Sequence, residues 1–354
     1  MLLLQTLPCV ILELVLVGQI IIVMCNIIAE TRMNNSLFIR YIKTAVPSQH
    51  TDPAEFSELL CINEKNEGIY NKENEMQSES AKVEFARELK KFASTLGMFI
   101  AKDGEWTVRG FIDIFKNIHT ISADTKVVSK VLELHLFPYF LSFAESIGYE
   151  IELATYQNWY PDLTFKSISN PSIKFAVDLK TTYRTEEYPG FCNGFTLGSH
   201  GEYFTERTST KNIQYPYDEY CGHFVVGIIY SKAELNTDAE TRVYQIDEIE
   251  NIPAVINNFL FFAEEKWKIA SDKSGSGNTA NIGSIQKVDD LLSGNGVFAK
   301  AGEALFDDYW ANFGKMEILV NRKRKKLSSF EEYLRYRGLP MTLYNPKAAK
   351  RKAI

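Results

Sequence analysis

Asp162, Asp178 and Lys180 sit in YPDLTFKSISNPSIKFAVDLKTTY (160–183), a stretch that otherwise reads as two apolar strands joined by a polar turn. Two acids and a lysine are costly to bury unpaired, so their presence in a sheet needs a chemical reason. Side chains alternate along a strand. In IKFAVDLK, Ile173, Phe175, Val177 and Leu179 share one face, while Lys174, Ala176, Asp178 and Lys180 share the other. Asp178 and Lys180 therefore point the same way, about 7 Å apart. Asp162 and Thr164 face away from Leu163 and Phe165, and Asn170-Pro171 favours a turn. A hairpin of these strands can bring Asp162 next to Asp178. Adjacent carboxylates repel, and one then resists ionising. A hard divalent cation removes that conflict. Oxygen ligands with open positions suit Mg2+, which keeps waters and takes substrate phosphates. The lysine can neutralise a phosphate or help activate water. An Asp178–Lys180 ion pair on an exposed sheet face fits the same spacing and contributes little. The spacing alone leaves both readings open.

The surrounding pattern must supply the elements that hold these groups. EFARELKKFASTL has apolar residues at helical spacing, and TKVVSKVLELHLFPYFLSFAESIGY (125–149) reads as a long amphipathic helix with Pro138 inside it. Strands are expected at 195–198, 223–231 and 243–249. A helical stretch is expected around NFLFFAEEKWKIASD (258–272), then a loop, SGSGNTANIGS (274–284), and a helical, basic end. This order suits one α/β domain with a mixed central sheet flanked by helices.

The ends differ from the middle. Residues 1–30 are strongly apolar, and 10–28 is long enough to span a bilayer, but Glu13 and Gln19 interrupt it and no basic residue precedes it. It reads as a weak anchor or an upstream extension, with Met33 and Met76 as later starts. Residues 31–79 read as an acidic, disordered linker, 80–340 as the working domain, and 341–354 as a basic tail. Residues 1–80 carry five basic and ten acidic residues, and 315–354 carry twelve basic and three acidic, within a net charge of −6. A basic end on an acidic body suggests a phosphate-rich partner, although a solvated tail fits too. Five scattered cysteines without a CxxC pair argue for a reducing, cytoplasmic setting and against zinc.

The neighbours of the acids are more specific than the acids. YQNWYPDLTF followed by AVDLKTTY resembles the PD-(D/E)xK nuclease core of EcoRV-like type II restriction endonucleases. SADTKVVSKVLEL (122–134), TKNIQYPYDEYCGHFVVGIIY (210–230), EKWKIASDKSGSGNTANIGSI (265–285) and FDDYW (306–310) recur in the same order, so the resemblance spans roughly 80–340. It implies a restriction-endonuclease-like fold and a homodimeric, Mg2+-dependent enzyme cutting both strands of DNA, with 5′-phosphate and 3′-hydroxyl products. It implies Asp162 and Asp178 as metal-binding acids, Lys180 as the catalytic lysine, and Glu133 as a further acidic residue of the site. A restriction-modification setting implies a cognate DNA methyltransferase.

The resemblance also assigns the reading of DNA. SGSGNTAN (274–281) looks like the family's recognition loop, with Gly275, Gly277, Asn278 and Thr279 at base-contacting positions and Ala280 where the family has threonine. Asn278 carries both a donor and acceptors, which suits an adenine edge. Gln157 and Asn158 match a minor-groove loop, with Trp159 in place of a histidine. Thr182 and Lys126 match backbone-phosphate or support positions. The target implied is GATATC or a close relative, cut bluntly at a flexible central step. NRKRKK (321–326), Arg335 and Arg337 would add nonspecific phosphate attraction. Rival readings are a structure-specific or repair nuclease on the same core, a catalytically silent DNA-binding module, and a membrane-anchored protein. The matching loop speaks against the first and the intact acids and lysine against the second.

Overall fold

Gly222–Lys232 is apolar along most of its length and Lys174–Tyr183 keeps one face largely apolar, so both suit the inside of a covered sheet. The computed structural model, which describes residues 75–235, 242–275, 280–320 and 323–348, places them there. Its strands are β1 (Ala101–Lys102), β2 (Glu105–Trp106), β3 (Gly110–Ile112), β4 (Asn117–Thr120), β5 (Tyr149–Leu153), β6 (Leu163–Ser167), β7 (Lys174–Tyr183) and β8 (Thr196–Ser199). They continue with β9 (Gly222–Lys232), β10 (Val243–Gln245), β11 (Ile256–Glu265), β12 (Ala270–Ser274), β13 (Asn281–Ser284), β14 (Glu317–Val320) and β15 (Lys323–Lys326). The main sheet has the order β1-β2-β11-β9-β7-β6-β5. β7 and β9 pair in parallel and the remaining neighbours pair antiparallel, so the sheet is mixed.

Helix α1 (75–95) and helix α2 (Thr125–Ser146) cover one face. Val128, Leu132, Leu136 and Phe140 recur every fourth residue along α2 and are buried with Phe85 and Leu89 of α1 against Phe165, Phe175, Val177, Phe224 and Val226. Asp124 caps α2 by accepting from the Lys126 and Val127 N–H groups. α2 is long and apolar enough to cross a membrane, but those same apolar residues form this core. The opposite sheet face presents Ala176, Val225, Ile229 and Phe262 to a second core, built with Tyr160, Leu197, Tyr217, Ile282 and the residues of α3 (Glu303–Asn312) and α4 (Phe330–Arg337). The described residues from 75 on group as one compact unit.

Several expectations are corrected. The expected helix at 258–272 is β11, a four-residue helical turn (Lys266–Ile269) and β12. FLFFA (259–263) has no polar residue to reveal its period, yet Phe259 and Phe261 face the α1–α2 core while Leu260 and Phe262 face the other, a strand's period of two. The strand expected at 243–249 stops at Gln245 and becomes a 3-10 helix, Ile246–Asn251. The glycine-rich loop of 274–284 is shorter, because Asn281–Ser284 pairs with both β12 and β8. The helical, basic end is helical only from Phe330 to Arg337; the basic run before it forms the β14–β15 hairpin. The expected linker already turns helical at residue 75. The tail is anchored as far as Ala348, since Asn345 is buried and its amide donates to Asn295 and Gly296. The apolar segment 1–30 and linker residues 31–74 lie outside the described residues, as do 349–354.

Candidate active site and DNA interface

The β6–β7 register sets Leu163 opposite Val177, so Asp162, one residue earlier, arrives opposite Asp178. The Asp162 N–H donates to Asp178 Oδ1 at 3.2 Å, and the Leu179 N–H donates to Asp162 Oδ2 at 2.9 Å. The peptide bond between Tyr160 and Pro161 is cis. Asp178 and Lys180 project from the same face of β7, as alternation requires, and Lys180 Nζ lies 3.2 Å from Asp162 Oδ2 and 3.2 Å from Asp178 Oδ2. The two acids and the lysine form one cluster. It is not a surface ion pair, because the Asp178 side chain is only 4% exposed.

Burial raises the Asp178 pKa; Lys180 opposes that rise and Asp162 adds to it. Burial works against the Lys180 ammonium, but Asp178 and Asp162 beside it outweigh that and hold its pKa above the usual lysine value. The cluster thus carries two carboxylates on a single ammonium. Among the described residues no group of three or more His, Cys, Asp or Glu side chains is placed to hold a metal ion. Two carboxylates nevertheless fit a hard cation that fills its remaining positions with water and phosphate oxygens, and no sulfur or imidazole ligand joins the cluster.

Lys266, which sequence reasoning missed, lies behind the cluster. It is 2% exposed, and its Nζ has no hydrogen-bond partner. It stands 4.8 Å from the Tyr160 ring centroid, and Phe204 and Tyr217 flank it further out. Burial lowers its pKa to about 8, against the attraction of Asp178 and Asp307. The Tyr160 hydroxyl meets His223 Nδ1 at 2.9 Å, and Tyr217 stacks on that imidazole at 3.7 Å. The Lys266 signal was a charge directly after the apolar run 259–263 and Glu264-Glu265, hidden once the run is taken for a helix.

The other expected residues divide. Glu133 is on α2, and its carboxylate takes Lys130 Nζ at 2.6 Å, one turn away; no contact joins it to Asp162, Asp178 or Lys180 among the described residues. Lys126 is exposed in the first turn of α2. Thr182 is buried and its hydroxyl donates to the Gly194 carbonyl, which is a support role. Gln157 and Asn158 are exposed at the tip of the turn between β5 and Asp162. Trp159 closes that turn by donating its N–H to the Tyr156 carbonyl, with the two rings 4.7 Å apart.

The glycine-rich segment joins β12 to β13, and β8 completes their three-stranded sheet. Gly275 begins it, donating its N–H to the Asn281 carbonyl at 2.8 Å. A Cβ at Gly275 would come within 2.7 Å of Thr196 Cγ2, so the close approach of β8 demands glycine. The Ala280 carbonyl accepts from the His200 N–H. Gly277, Asn278 and Thr279 lie outside the described residues.

Residues 102–338 match the family model described as restriction endonuclease EcoRV. The chain is similar to the type II restriction enzyme EcoRV of Escherichia coli, with 37% identity over 235 residues, covering 66% of this chain and 93% of that protein.

Proposed function

From the premise that this chain belongs to the restriction endonuclease EcoRV family and is a type II restriction endonuclease acting on DNA, we propose that it cuts both strands of a short palindromic site in a Mg2+-dependent hydrolysis. Asp162 and Asp178 would hold the cation through their carboxylate oxygens. A bound divalent cation would supply Lewis-acid polarisation of the phosphoryl group and lower the pKa of water. Lys180 sets its ammonium beside the scissile phosphate, where it offsets negative charge that builds on the phosphoryl oxygens as water attacks. The products carry 5′-phosphate and 3′-hydroxyl ends. Glu133 serves the site only if it leaves Lys130.

The observation that carries this reading is the shared contact of Lys180 Nζ with both acids at 3.2 Å, on the sheet face turned toward β8 and the β12–β13 hairpin. Gly275, Gly277, Asn278 and Thr279 read base edges in the major groove, Gln157 and Asn158 meet the minor groove, and Lys126 contacts a phosphate. The target is GATATC or a close relative, cut bluntly. A palindrome calls for a two-fold homodimer. In support, one face of β3, β4 and β10 exposes Phe111 and Val243, and Ile114 and Phe115 are exposed at the β3–β4 turn. A DNA methyltransferase protects the host genome. Digestion of plasmid DNA with Mg2+, followed by sequencing of the ends, tests all of this. Discrete blunt ends at one palindrome are expected; scattered or structure-directed ends would favour a repair nuclease instead.

A further inference from the structure

We propose that Gln214 is a positioning residue that sets the turn 155–160 ahead of the catalytic acid. This rests on the reading of that turn as a DNA-facing loop. The turn is tied at both ends to one three-residue stretch, Asn212–Gln214. At its far end, the Tyr160 N–H donates to the Asn212 carbonyl at 3.0 Å, and the Gln214 N–H donates to the Tyr160 carbonyl at 2.8 Å. At its near end, the Gln214 side chain accepts twice: from the Thr155 N–H at 3.0 Å and from the Thr155 hydroxyl at 3.1 Å. A backbone N–H can only donate, so the amide must turn its oxygen toward Thr155. Between the ties, Tyr156, Gln157 and Asn158 are exposed, held by the Trp159 N–H to Tyr156 carbonyl bond. Asp162 follows two residues after Tyr160, so the near-end tie decides how the exposed tip is aimed relative to the catalytic acid.

The chemistry makes a specific demand. Gln214 works as an acceptor, so a glutamate should replace it and a methionine of similar length should not. Gln214 is only partly buried, so neither variant threatens the core. Hydrogen exchange at the Thr155 amide reads the tie directly, and single-turnover and steady-state cleavage of the duplex that the wild-type protein cuts reads its consequence. Gln214→Met should speed Thr155 exchange and lower kcat about fivefold, the scale of one net hydrogen bond. Gln214→Glu should recover most of both, whatever its negative charge does to KM near phosphates. Unchanged Thr155 exchange in Gln214→Met overturns the tie. Faster exchange with unchanged kcat overturns the positioning role and leaves the nuclease reading intact. A glutamate variant that behaves like methionine overturns the acceptor argument. A wild-type protein that cuts no DNA removes the nuclease reading first, and this proposal with it.

Discussion

Asp178 and Lys266 attract each other's charge near Tyr160, and each makes a different prediction. Asp178 is buried with a raised pKa, which costs free energy until a cation arrives. Asp178→Asn keeps shape and removes the charge a cation needs. Cleavage should fall about 100-fold or more, the scale on which a preorganised charge acts, while DNA binding in a gel-shift assay persists. Normal Mg2+-dependent cutting by this variant would remove Asp178 from the site. Lys266 holds an unpartnered buried ammonium whose pKa falls from 10.5 to about 8. Between those values the unfolded chain retains a proton that the folded chain has released, so stability rises with pH across that window and the cost is full below it. The cost is about 3 kcal/mol. Lys266→Met should therefore raise the melting temperature at pH 7, and the advantage should shrink toward pH 10. A difference that stays constant across this range would show that packing, not charge, separates the two proteins.

At the scale of elements, β9 and β11 make the tightest claim. A Cβ at Gly227 would sit 2.1 Å from Phe262 Cε1, so the ring occupies the space that any side chain on β9 would need. Gly227→Ala should destabilise the fold by about 1–3 kcal/mol in urea, and Phe262→Leu should recover part of that. Additive losses in the double variant would mean that the two residues do not share the space. This contact could not be foreseen, because β11 was expected as helix. The β6–β7 hairpin was legible because polar groups mark its alternation: Asp162, Asp178 and Lys180 landed on the expected face and touch. α2 was legible through its amphipathic apolar spacing, whereas its Asp124 cap emerged only from the structure. In Ile256–Glu265 the run Phe259–Ala263 is apolar on both faces, so only its partner β9 fixes the period. The helical end expected from the sequence begins only at Phe330, and before it antiparallel pairing of Glu317–Val320 with Lys323–Lys326 decides the basic run. Lys266 and Gln214 were invisible for the same reason: their roles come from residues far away in sequence.

For the whole molecule, the basic end is less free than its composition suggests. Lys325 pairs with Glu332, Arg335 with Glu331 and Arg337 with Asp308, so these cations already have intramolecular partners and contribute less to phosphate attraction. Association with a second copy then matters more for holding DNA. The three-stranded sheet offers a face for it. Phe111 and Val243 both pair with His119, so the three side chains form one row, and all three are exposed. The next row turns Ile118 and Tyr244 into a small core with Ile252, which fixes the sheet and leaves the first row outward. Ile114 and Phe115, 90% and 76% exposed, extend the apolar area at the β3–β4 turn. Apolar side chains gathered on one face of a short sheet mark an association surface more often than a solvated one. Replacing Phe111 and Val243 together by Asp puts like charges at the centre of that face, in each copy against the other. Sedimentation should then report a monomer at micromolar concentration, and plasmid digestion should give slow nicking where the wild-type protein linearises. A double variant that remains dimeric and linearises plasmid would place the two-fold contact on another face, with the exposed surface of α2 around Leu134 and Leu141 the next to test.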